Sequence, residues 1–435
     1  MKPEMSEHFI SRMPSAIRLA QIEFSKRTDG VNAINVAIGN VSLPMHEAMQ
    51  KRMKDLYAKG SPFSGGIVKY SATVGEKEAN AAFLNIISSS GFDTSRLFSQ
   101  ITNGGSQAME LITLGICGKA GTIERPLLMI DPAYTNYKAM AERLGRSTIS
   151  VSRHLDHDGV FVRPDIKQIE KVIERRRPGA MVVIPYDNPT GDFYDRKTMI
   201  EYAKLCVKHN LWMVSDEAYR ELYYVDHATV SIWGIDDSDV PGIEGRRISI
   251  ETASKVWNAC GLRIGALVTD NKIFHEKAVA ENTADLCSNV IGQYIIGGLA
   301  DEPHEKLKSW YGKLREYYHR MMESLTSELR QNMEGIIVSN PDASIYSVVD
   351  VRRIAKPGFN ALDFVLYCAQ KGKVILDGRE MTLLVSPMAG FYSISDGKEN
   401  PGRTQMRIAY VAPPEEMKKV PALFKQLFKQ YESRR

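Results

Sequence analysis

The most constraining feature of this 435-residue chain is a series of short, almost continuously apolar segments, each followed by a helix-like stretch. A strand with apolar residues on both of its faces is typical of a parallel sheet that is covered by helices on both sides. The predicted strands span 101–103, 126–131, 180–185, 211–216, 247–252 and 265–269. The predicted helices span 106–116, 135–144, 166–174 and 196–209. The sequence therefore predicts an α/β fold around a mainly parallel sheet.

A second, smaller α/β unit is predicted near the C-terminus. A long charged helix-like stretch at 305–332 precedes two strand-like segments and a further helix, at 336–339, 344–351 and 361–371. The first 45 residues carry little periodicity of their own and are expected to pack on this unit. We therefore expect a large domain formed by 46–303 and a small domain formed by 1–45 and 304–435.

Charge and cysteine usage exclude several classes of protein. The formal net charge is only +4, and no long basic run predicts binding to nucleic acid or a membrane surface. The five cysteines form no CxxC pair, which is typical of reduced thiols and predicts neither disulfides nor a metal site. Residues 1–9 lack the apolar stretch of a secretory signal, and no apolar run has membrane-spanning length. We expect a soluble, cytoplasmic protein.

The segment around Lys255 carries the first candidate site. Lys255 follows a predicted strand and two hydroxyl residues, Thr252 and Ser254, and Arg263 stands eight positions later between glycines. One interpretation is an exposed loop lysine with a structural arginine, since most lysines are exposed. The other is an imine-forming lysine beside a phosphate clamp, because a rigid guanidinium can grip phosphate with two parallel hydrogen bonds.

Polar residues also follow two neighbouring predicted strands. Asn188, in an Asn-Pro-Thr-Gly segment, indicates a tight turn or an amide donor for a ligand. Asp216 suits a helix N-cap, or a carboxylate that pairs with a pyridine nitrogen and keeps it protonated. Tyr219 lies three residues further on, and its hydroxyl could donate to the same ring oxygen as Asn188. Ligands bind beyond the carboxyl ends of parallel strands, so we expect these side chains to meet.

Three further groups of residues each have both a structural and a functional interpretation. Gly104, Gly105 and Ser106 enter a predicted helix, whose free N–H groups could bind an anion. Tyr134 is either a structural tyrosine or a ring that stacks on an aromatic ligand. Arg407, in a strand-like segment, is either an edge charge or a bidentate partner for a substrate carboxylate.

Taken together, these motifs resemble the class I/II aminotransferase family of fold-type I pyridoxal-phosphate (PLP) enzymes. The resemblance runs from Ile38-Gly39 to about Arg407. It lies in the order Gly-Gly-Ser-Gln, Pro-x-Tyr, Asn-Pro-Thr-Gly, Asp-x-x-Tyr, Ser-Lys with Gly-x-Arg-x-Gly, and Arg-Ile. It implies a seven-stranded type of sheet in the large domain and a transaminase with ping-pong kinetics.

The resemblance also implies a role for each candidate residue. Lys255 would form the Schiff base with PLP and move the substrate proton, and Asp216 would pair with the pyridinium. Asn188 and Tyr219 would bind the ring hydroxyl, and Tyr134 would stack on the ring face. The phosphate would be held by Gly104, Gly105, Ser106, Thr252, Ser254 and Arg263. The substrate would be bound by Arg407, Gly39 and Asn188. Family members are typically homodimers, and Tyr70 matches a tyrosine that reaches the phosphate of the partner subunit.

Two departures from the family pattern bear on the substrate. Ser106 stands where one aspartate-specific subgroup carries a lysine, and Ala284 stands where another carries an arginine. Neither familiar anchor for a side-chain carboxylate is therefore evident, although another arginine could reach the site. Two alternative functions use the same fold: a PLP-dependent β-lyase acting on carbon–sulfur bonds, and a ligand-binding transcriptional regulator. The regulator is disfavoured because about 35 residues precede Ile38, too few for a DNA-binding module.

Overall fold

The computed structural model describes residues 3–394 and 399–435, so the first two residues of the N-terminal segment lie outside the described part. The helices are α1 Glu7–Ile10, α2 Ala16–Ser25, α3 Glu47–Lys54, α4 Lys77–Ser89, α5 Gly104–Ile116, α6 Thr135–Arg143, α7 Ile166–Arg176, α8 Arg196–Lys208, α9 Lys272–Glu281, α10 Val290–Gly297, α11 His304–Asn332, α12 Ala361–Gln370, α13 Pro414–Met417 and α14 Val420–Glu432. The strands are β1 Asn32–Asn35, β2 Phe98–Thr102, β3 Leu127–Asp131, β4 Thr148–Ser152, β5 His154–Leu155, β6 Phe161–Val162, β7 Ala180–Val183, β8 Trp212–Asp216, β9 Arg247–Thr252, β10 Gly265–Thr269, β11 Ile337–Val338, β12 Tyr346–Asp350, β13 Val374–Leu376, β14 Arg379–Leu384, β15 Ser386–Pro387 and β16 Gln405–Ala409.

The central sheet is mainly parallel, as the sequence predicts. Within the described residues it has seven strands in the order β2-β10-β9-β8-β7-β3-β4, and β10 alone runs antiparallel to its neighbours. Strands β3, β7, β8 and β9 are buried along almost their whole length, since apolar side chains on both faces are covered by helices. Because these strands are parallel, their carboxyl ends meet at one edge of the sheet.

The C-terminal part forms two smaller sheets, and the N-terminal part joins one of them. Strand β1 pairs in parallel with β14, which also pairs with β13. A four-stranded sheet has the order β11-β12-β16-β15. In that sheet Tyr346 lies opposite Ala409, and Val348 lies opposite Arg407. The division into domains at 45/46 and 303/304 stays a prediction, although the pairing of β1 with β14 agrees with it.

The predicted elements are confirmed to within a few residues. The sequence analysis did not predict the following elements: α1–α4, α9, α10, α13 and α14 among the helices, and β1, β4–β6 and β13–β15 among the strands. The N-cap interpretation of Asp216 is wrong, because the chain after β8 makes a turn and no helix begins there. None of the helices in the described ranges is long and apolar enough to cross a membrane. The five cysteines are free in the structure.

A buried arginine, Arg153, connects the loop that follows β3 to the loop that follows β7. The Arg153 side chain has no solvent exposure and forms a salt bridge with Asp187, at 3.1 Å. It also donates hydrogen bonds to the carbonyl of Pro132 at 2.7 Å and to the hydroxyl of Tyr194 at 3.0 Å. Removing one partner of such a buried, hydrogen-bonded pair leaves an uncompensated charge. Arg153 therefore fixes the loop that follows β3 relative to the loop that follows β7.

Candidate active site

One cavity at the carboxyl edge of the central sheet collects most of the residues singled out in the sequence. It is lined by Gly39, Gly105, Ser106, Tyr134, Asn188, Asp216, Tyr219, Thr252, Ser254, Lys255, Arg263 and Arg407. They come together because β3, β7, β8 and β9 all end at this edge, while β16 brings Arg407 from the four-stranded sheet. Gly104 is not among the lining residues, but it lies next to the guanidinium of Arg263, which lines the cavity. Tyr70 does not reach the cavity of its own chain, and its side chain is 79% exposed.

Asp216 places a desolvated carboxylate at the end of β8. The backbone N–H of Ala218 donates to one carboxylate oxygen at 3.0 Å, and the hydroxyl of Tyr137 donates to the other. Burial nevertheless raises the pKa of Asp216 to about 6, against the lowering effects of these hydrogen bonds and of the Lys255 charge. Among the described residues no cation forms a salt bridge with it. The carboxylate is therefore buried without a counter-ion from the described residues, although a buried charge is costly unless it is paired.

A chain of hydrogen bonds crosses the floor of the cavity. The amide nitrogen of Asn188 lies 3.4 Å from the hydroxyl of Tyr219, which in turn lies 2.7 Å from the hydroxyl of Tyr346. The amide oxygen of Asn188 accepts a hydrogen bond from Arg407 at 2.6 Å. Burial raises the pKa of Tyr219 well above its ordinary value, so this phenol donates rather than ionises.

Arg407 is a buried cation without a carboxylate partner in the part of the chain that the structure describes. Only 3% of its surface is exposed. Its guanidinium donates to the carbonyl of Ala37 at 2.8 Å and lies 4.2 Å from the ring centre of Tyr346 and 5.1 Å from that of Phe391. Its Nε is buried without a hydrogen-bond partner. Such a group has free donors and unneutralised charge to offer an incoming anion.

The start of helix α5 and the Lys255–Arg263 loop form an anion cradle. Gly104 has a φ of +73°, and a Cβ built there would lie 2.6 Å from the Arg263 guanidinium, so only glycine fits. The first N–H groups of α5, at Gly105 and Ser106, have no partner within the helix. The hydroxyl of Thr252 donates to that of Ser254 at 2.7 Å. Arg263 forms no salt bridge within the described residues, which leaves its charge available to an anion.

Lys255 projects into the cavity between these groups. Its Nζ donates a hydrogen bond to the carbonyl of Gly39 at 2.5 Å. A Cβ on Gly39 would overlap the Tyr346 hydroxyl and lie 3.0 Å from Lys255 Nζ. Close packing of Gly39 against the Tyr346 hydroxyl, and to a lesser degree against the lysine, gives a physical reason for a glycine at this position.

Sequence reasoning missed several residues that line the cavity. The Tyr137 hydroxyl donates a hydrogen bond to Asp216, and the position of Tyr137 three residues after Tyr134, the N-cap of α6, was a usable signal. Tyr346 carried no local signal, because only the pairing of β12 with β16 brings it beside Arg407. The remaining lining residues without a prediction are Ser15, Ile17, Arg18, Ile38, Thr135, Asn136, Met140, Ala218, Cys260 and Phe391.

The donor set fits pyridoxal phosphate. A cradle of free amides and the unpaired Arg263 suits a phosphate dianion, and the counter-ion-free carboxylate of Asp216 suits a pyridinium nitrogen. A primary amine at Lys255 can condense with an aldehyde. The fold and this set of groups are those of a fold-type I PLP enzyme.

Comparison with known proteins agrees with this class. Residues 31–419 match the family model "Aminotransferase class I and II". Aspartate/prephenate aminotransferase of Thermus thermophilus is 23% identical over 81% of this chain and 85% of its own length. Cystathionine beta-lyase PatB of Bacillus subtilis is 23% identical over 57% of this chain and 61% of its own length. For three other curated relatives the match spans only 51% to 66% of their length.

The same relationship is seen among solved structures. A mutant of Thermus thermophilus aspartate aminotransferase superposes with a TM-score of 0.78 at 20% identity, covering 98% of this chain and all of its own. The chain belongs to the class I and II aminotransferase family, which depends on PLP. The predicted family, fold class and cofactor are thereby confirmed, and the predicted enzyme class is confirmed at the level of the family.

Replacement of Asp216 by asparagine should stabilise the cofactor-free protein in a pH-dependent way. The carboxyl has an ordinary pKa of 3.8 and a folded-state pKa of about 6, so the folded state binds the proton more tightly. The stabilising effect of that proton is fully present below about pH 4 and is lost as the pH rises through 6. Asp216→Asn should therefore gain up to about 3 kcal/mol at pH 8 and little at pH 4.

The measurement is thermal or urea unfolding of the cofactor-free forms at both pH values. Asp158→Asn, at an exposed residue away from the cavity, serves as the matched control and should show no such pH dependence. An equal stability difference for Asp216→Asn at pH 4 and pH 8 would contradict the assignment of a desolvated carboxylate.

Proposed function

We propose that this enzyme transfers the amino group of an L-amino acid to a 2-oxo acid by a ping-pong mechanism. The observation that carries the proposal is the arrangement of three groups around one cavity. These are the amine of Lys255, the carboxylate of Asp216 and the buried guanidinium of Arg407, the last two without a partner of opposite charge in the described part of the chain. When bound, PLP supplies an aldehyde that accepts the amino group and a ring that accepts the electron pair left on Cα when the α-proton is removed.

Cofactor binding is assigned to the residues at the strand ends. In this proposal Asp216 holds the ring nitrogen in its protonated form, and Tyr137 and the Ala218 amide hold the carboxylate in place. Asn188 and Tyr219 would donate hydrogen bonds to the ring oxygen, and Tyr134 would stack on the ring. The phosphate is assigned to the cradle at the start of α5, which comprises the amides of Gly105 and Ser106, the hydroxyls of Thr252 and Ser254, and the Arg263 guanidinium.

The substrate is assigned to the other end of the cavity. Arg407 would bind the α-carboxylate with its free donors, assisted by the backbone at Gly39 and by the Asn188 side chain that already orients the guanidinium. The Lys255 amine would act as the base that takes the proton from the substrate Cα and would then donate that proton as an acid. Tyr346 and Phe391, which pack on Arg407, exclude water from the ion pair and so strengthen it.

A carbon–sulfur β-lyase remains the second candidate, and the similarity to cystathionine beta-lyase PatB favours keeping it. The same lysine, carboxylate and arginine would serve both reactions, so the assigned residues do not separate them. The products do: a transaminase retains the amino group on the cofactor until an oxo acid arrives, whereas a lyase releases it as ammonia.

A single-turnover screen tests the function. Holoenzyme mixed with one amino acid at a time, without an oxo acid, should release one equivalent of 2-oxo acid per subunit and no ammonia. The visible band of the bound cofactor should be lost in step and restored by adding a second oxo acid. Continuous ammonia and pyruvate release from a sulfur amino acid would instead support the lyase. If no amino acid changes the visible band, the transaminase proposal is contradicted.

We also propose a homodimer in which Tyr70 completes the partner's phosphate site, and a cytoplasmic location. Tyr70 is 79% exposed, and Tyr57, Ile67 and Val68 beside it in sequence are 75%, 61% and 57% exposed. Exposed apolar residues concentrated in one segment favour an interface with another chain. A two-fold dimer would bury the segment symmetrically and bring each Tyr70 to the other subunit.

Hybrid dimers test this assignment. Tyr70→Phe should weaken PLP binding about 10-fold, the effect of losing one hydrogen bond to a charged group, whereas Tyr57→Phe should not. A hybrid of one Tyr70→Phe subunit and one Lys255→Ala subunit has one intact site only if Tyr70 acts across the interface. That hybrid should therefore recover wild-type PLP affinity and about half the activity. A monomeric protein, or a hybrid no better than Tyr70→Phe alone, would contradict the proposal.

A further inference from the structure

Helix α2 is fixed at the mouth of the cavity by contacts at both ends. Near its C-terminus, Arg27 donates to the carbonyls of Cys368 and Gly372 at 3.2 and 3.0 Å. Near its N-terminus, the Ser15 hydroxyl caps the helix by accepting from the backbone N–H of Arg18. Ile17 packs against an apolar cluster that includes Phe391. The first turn of α2 is therefore held against the small-domain residues that line the cavity.

Arg18 lines the cavity from this first turn, together with Ser15 and Ile17. Its side chain is exposed, and its guanidinium donates to the neutral amide oxygen of Gln21 at 2.9 Å. No salt bridge joins Arg18 to an acidic residue within the described ranges. The arginine at this position consequently has donors that the described chain does not neutralise.

The charges around the cavity are unbalanced. Among the described residues, four cationic side chains line it, those of Arg18, Lys255, Arg263 and Arg407, against the carboxylate of Asp216. In the proposed function the cofactor aldehyde, the phosphate and the substrate α-carboxylate account for Lys255, Arg263 and Arg407. Of these four lining cations, Arg18 is the one to which the reaction assigns no partner.

The positions where related enzymes carry an anchor for a side-chain carboxylate do not supply one here. Ser106 lines the cavity but is uncharged, and Ala284 is exposed and lies outside the lining. A rigid, always protonated guanidinium can bind a carboxylate through two parallel hydrogen bonds. Arg18 can therefore take the place of the missing anchor from a different element of the fold.

We propose that Arg18 is a specificity-determining residue that binds a second carboxylate, so that dicarboxylic amino acids and their 2-oxo acids are the preferred substrates. This proposal rests on the proposed function, because it names the substrate class of the same site. A substrate of this kind would place its α-carboxylate on Arg407 and its side-chain carboxylate on Arg18. Neutral amino acids would use Arg407 alone.

A binding comparison tests Arg18 without turnover. Glutarate and pentanoate have equal carbon chains and differ by one carboxylate, and neither can be transaminated. In PLP-loaded full-length enzyme, glutarate should bind about 10- to 100-fold more tightly than pentanoate, the range expected for a hydrogen-bonded charge pair. Arg18→Gln should reduce this ratio to below about 3-fold, and Arg18→Lys should retain part of it. Arg12→Gln, on the same N-terminal segment but paired with exposed Glu142, is the control and should leave the ratio unchanged.

Turnover gives an independent readout. Arg18→Gln should lower kcat/KM for glutamate about 10- to 100-fold while changing that for alanine by less than about 3-fold. An unaltered glutarate-to-pentanoate ratio in Arg18→Gln, or equal losses with glutamate and alanine, would overturn the role of Arg18. Those results would leave the transaminase proposal standing. Conversely, a protein that transaminates no amino acid but loses its glutarate preference in Arg18→Gln would overturn the function and support the anion site.

Discussion

The candidate site depends on a carboxylate that is buried at the edge of a parallel sheet and forms no salt bridge with a cation among the described residues. Burial raises the pKa of this group, Asp216, to about 6, which means that its ionisation in the folded protein carries a free-energy cost. The Tyr137 hydroxyl and the Ala218 amide limit that cost and fix the orientation of the carboxylate. In the proposed function, a protonated ring nitrogen would neutralise this carboxylate, so cofactor binding and folding stability would be linked through one group.

Arg407, at the far side of the same cavity, is a buried cation, whereas Asp216 is a buried carboxylate. Its cation is buried against Tyr346 and Phe391, and its described hydrogen bonds go to neutral oxygens of Asn188 and Ala37. Two unneutralised charges of opposite sign therefore define the polarity of the bound ligands. Lys255 lies in the same cavity, and hydrogen bonds join Tyr219 to Asn188 and Asn188 to Arg407. A ligand with a cationic ring and an anionic partner matches this pattern.

The sequence predicted the residues at strand ends well because the geometry of a parallel sheet is simple. Lys255, Asp216 and Asn188 each follow a buried strand, and parallel strands end at one edge. Residues that other elements bring to the cavity could not be predicted from local sequence patterns. Tyr346 depends on the register of β12 against β16, and Arg18 lies in an N-terminal stretch with little periodicity. The N-cap interpretation of Asp216 was wrong because its carboxylate is held by a turn and by Tyr137, a contact made across the fold.

Covalent attachment of the cofactor at Lys255 is the central claim, and reductive trapping tests it most directly. Holoenzyme reduced with borohydride and digested should yield one peptide carrying the mass of reduced PLP, with the label on Lys255. A Lys255→Ala variant should remain unlabelled while keeping the wild-type circular dichroism spectrum. A label on another lysine, or no label on a folded and PLP-saturated protein, would contradict the account.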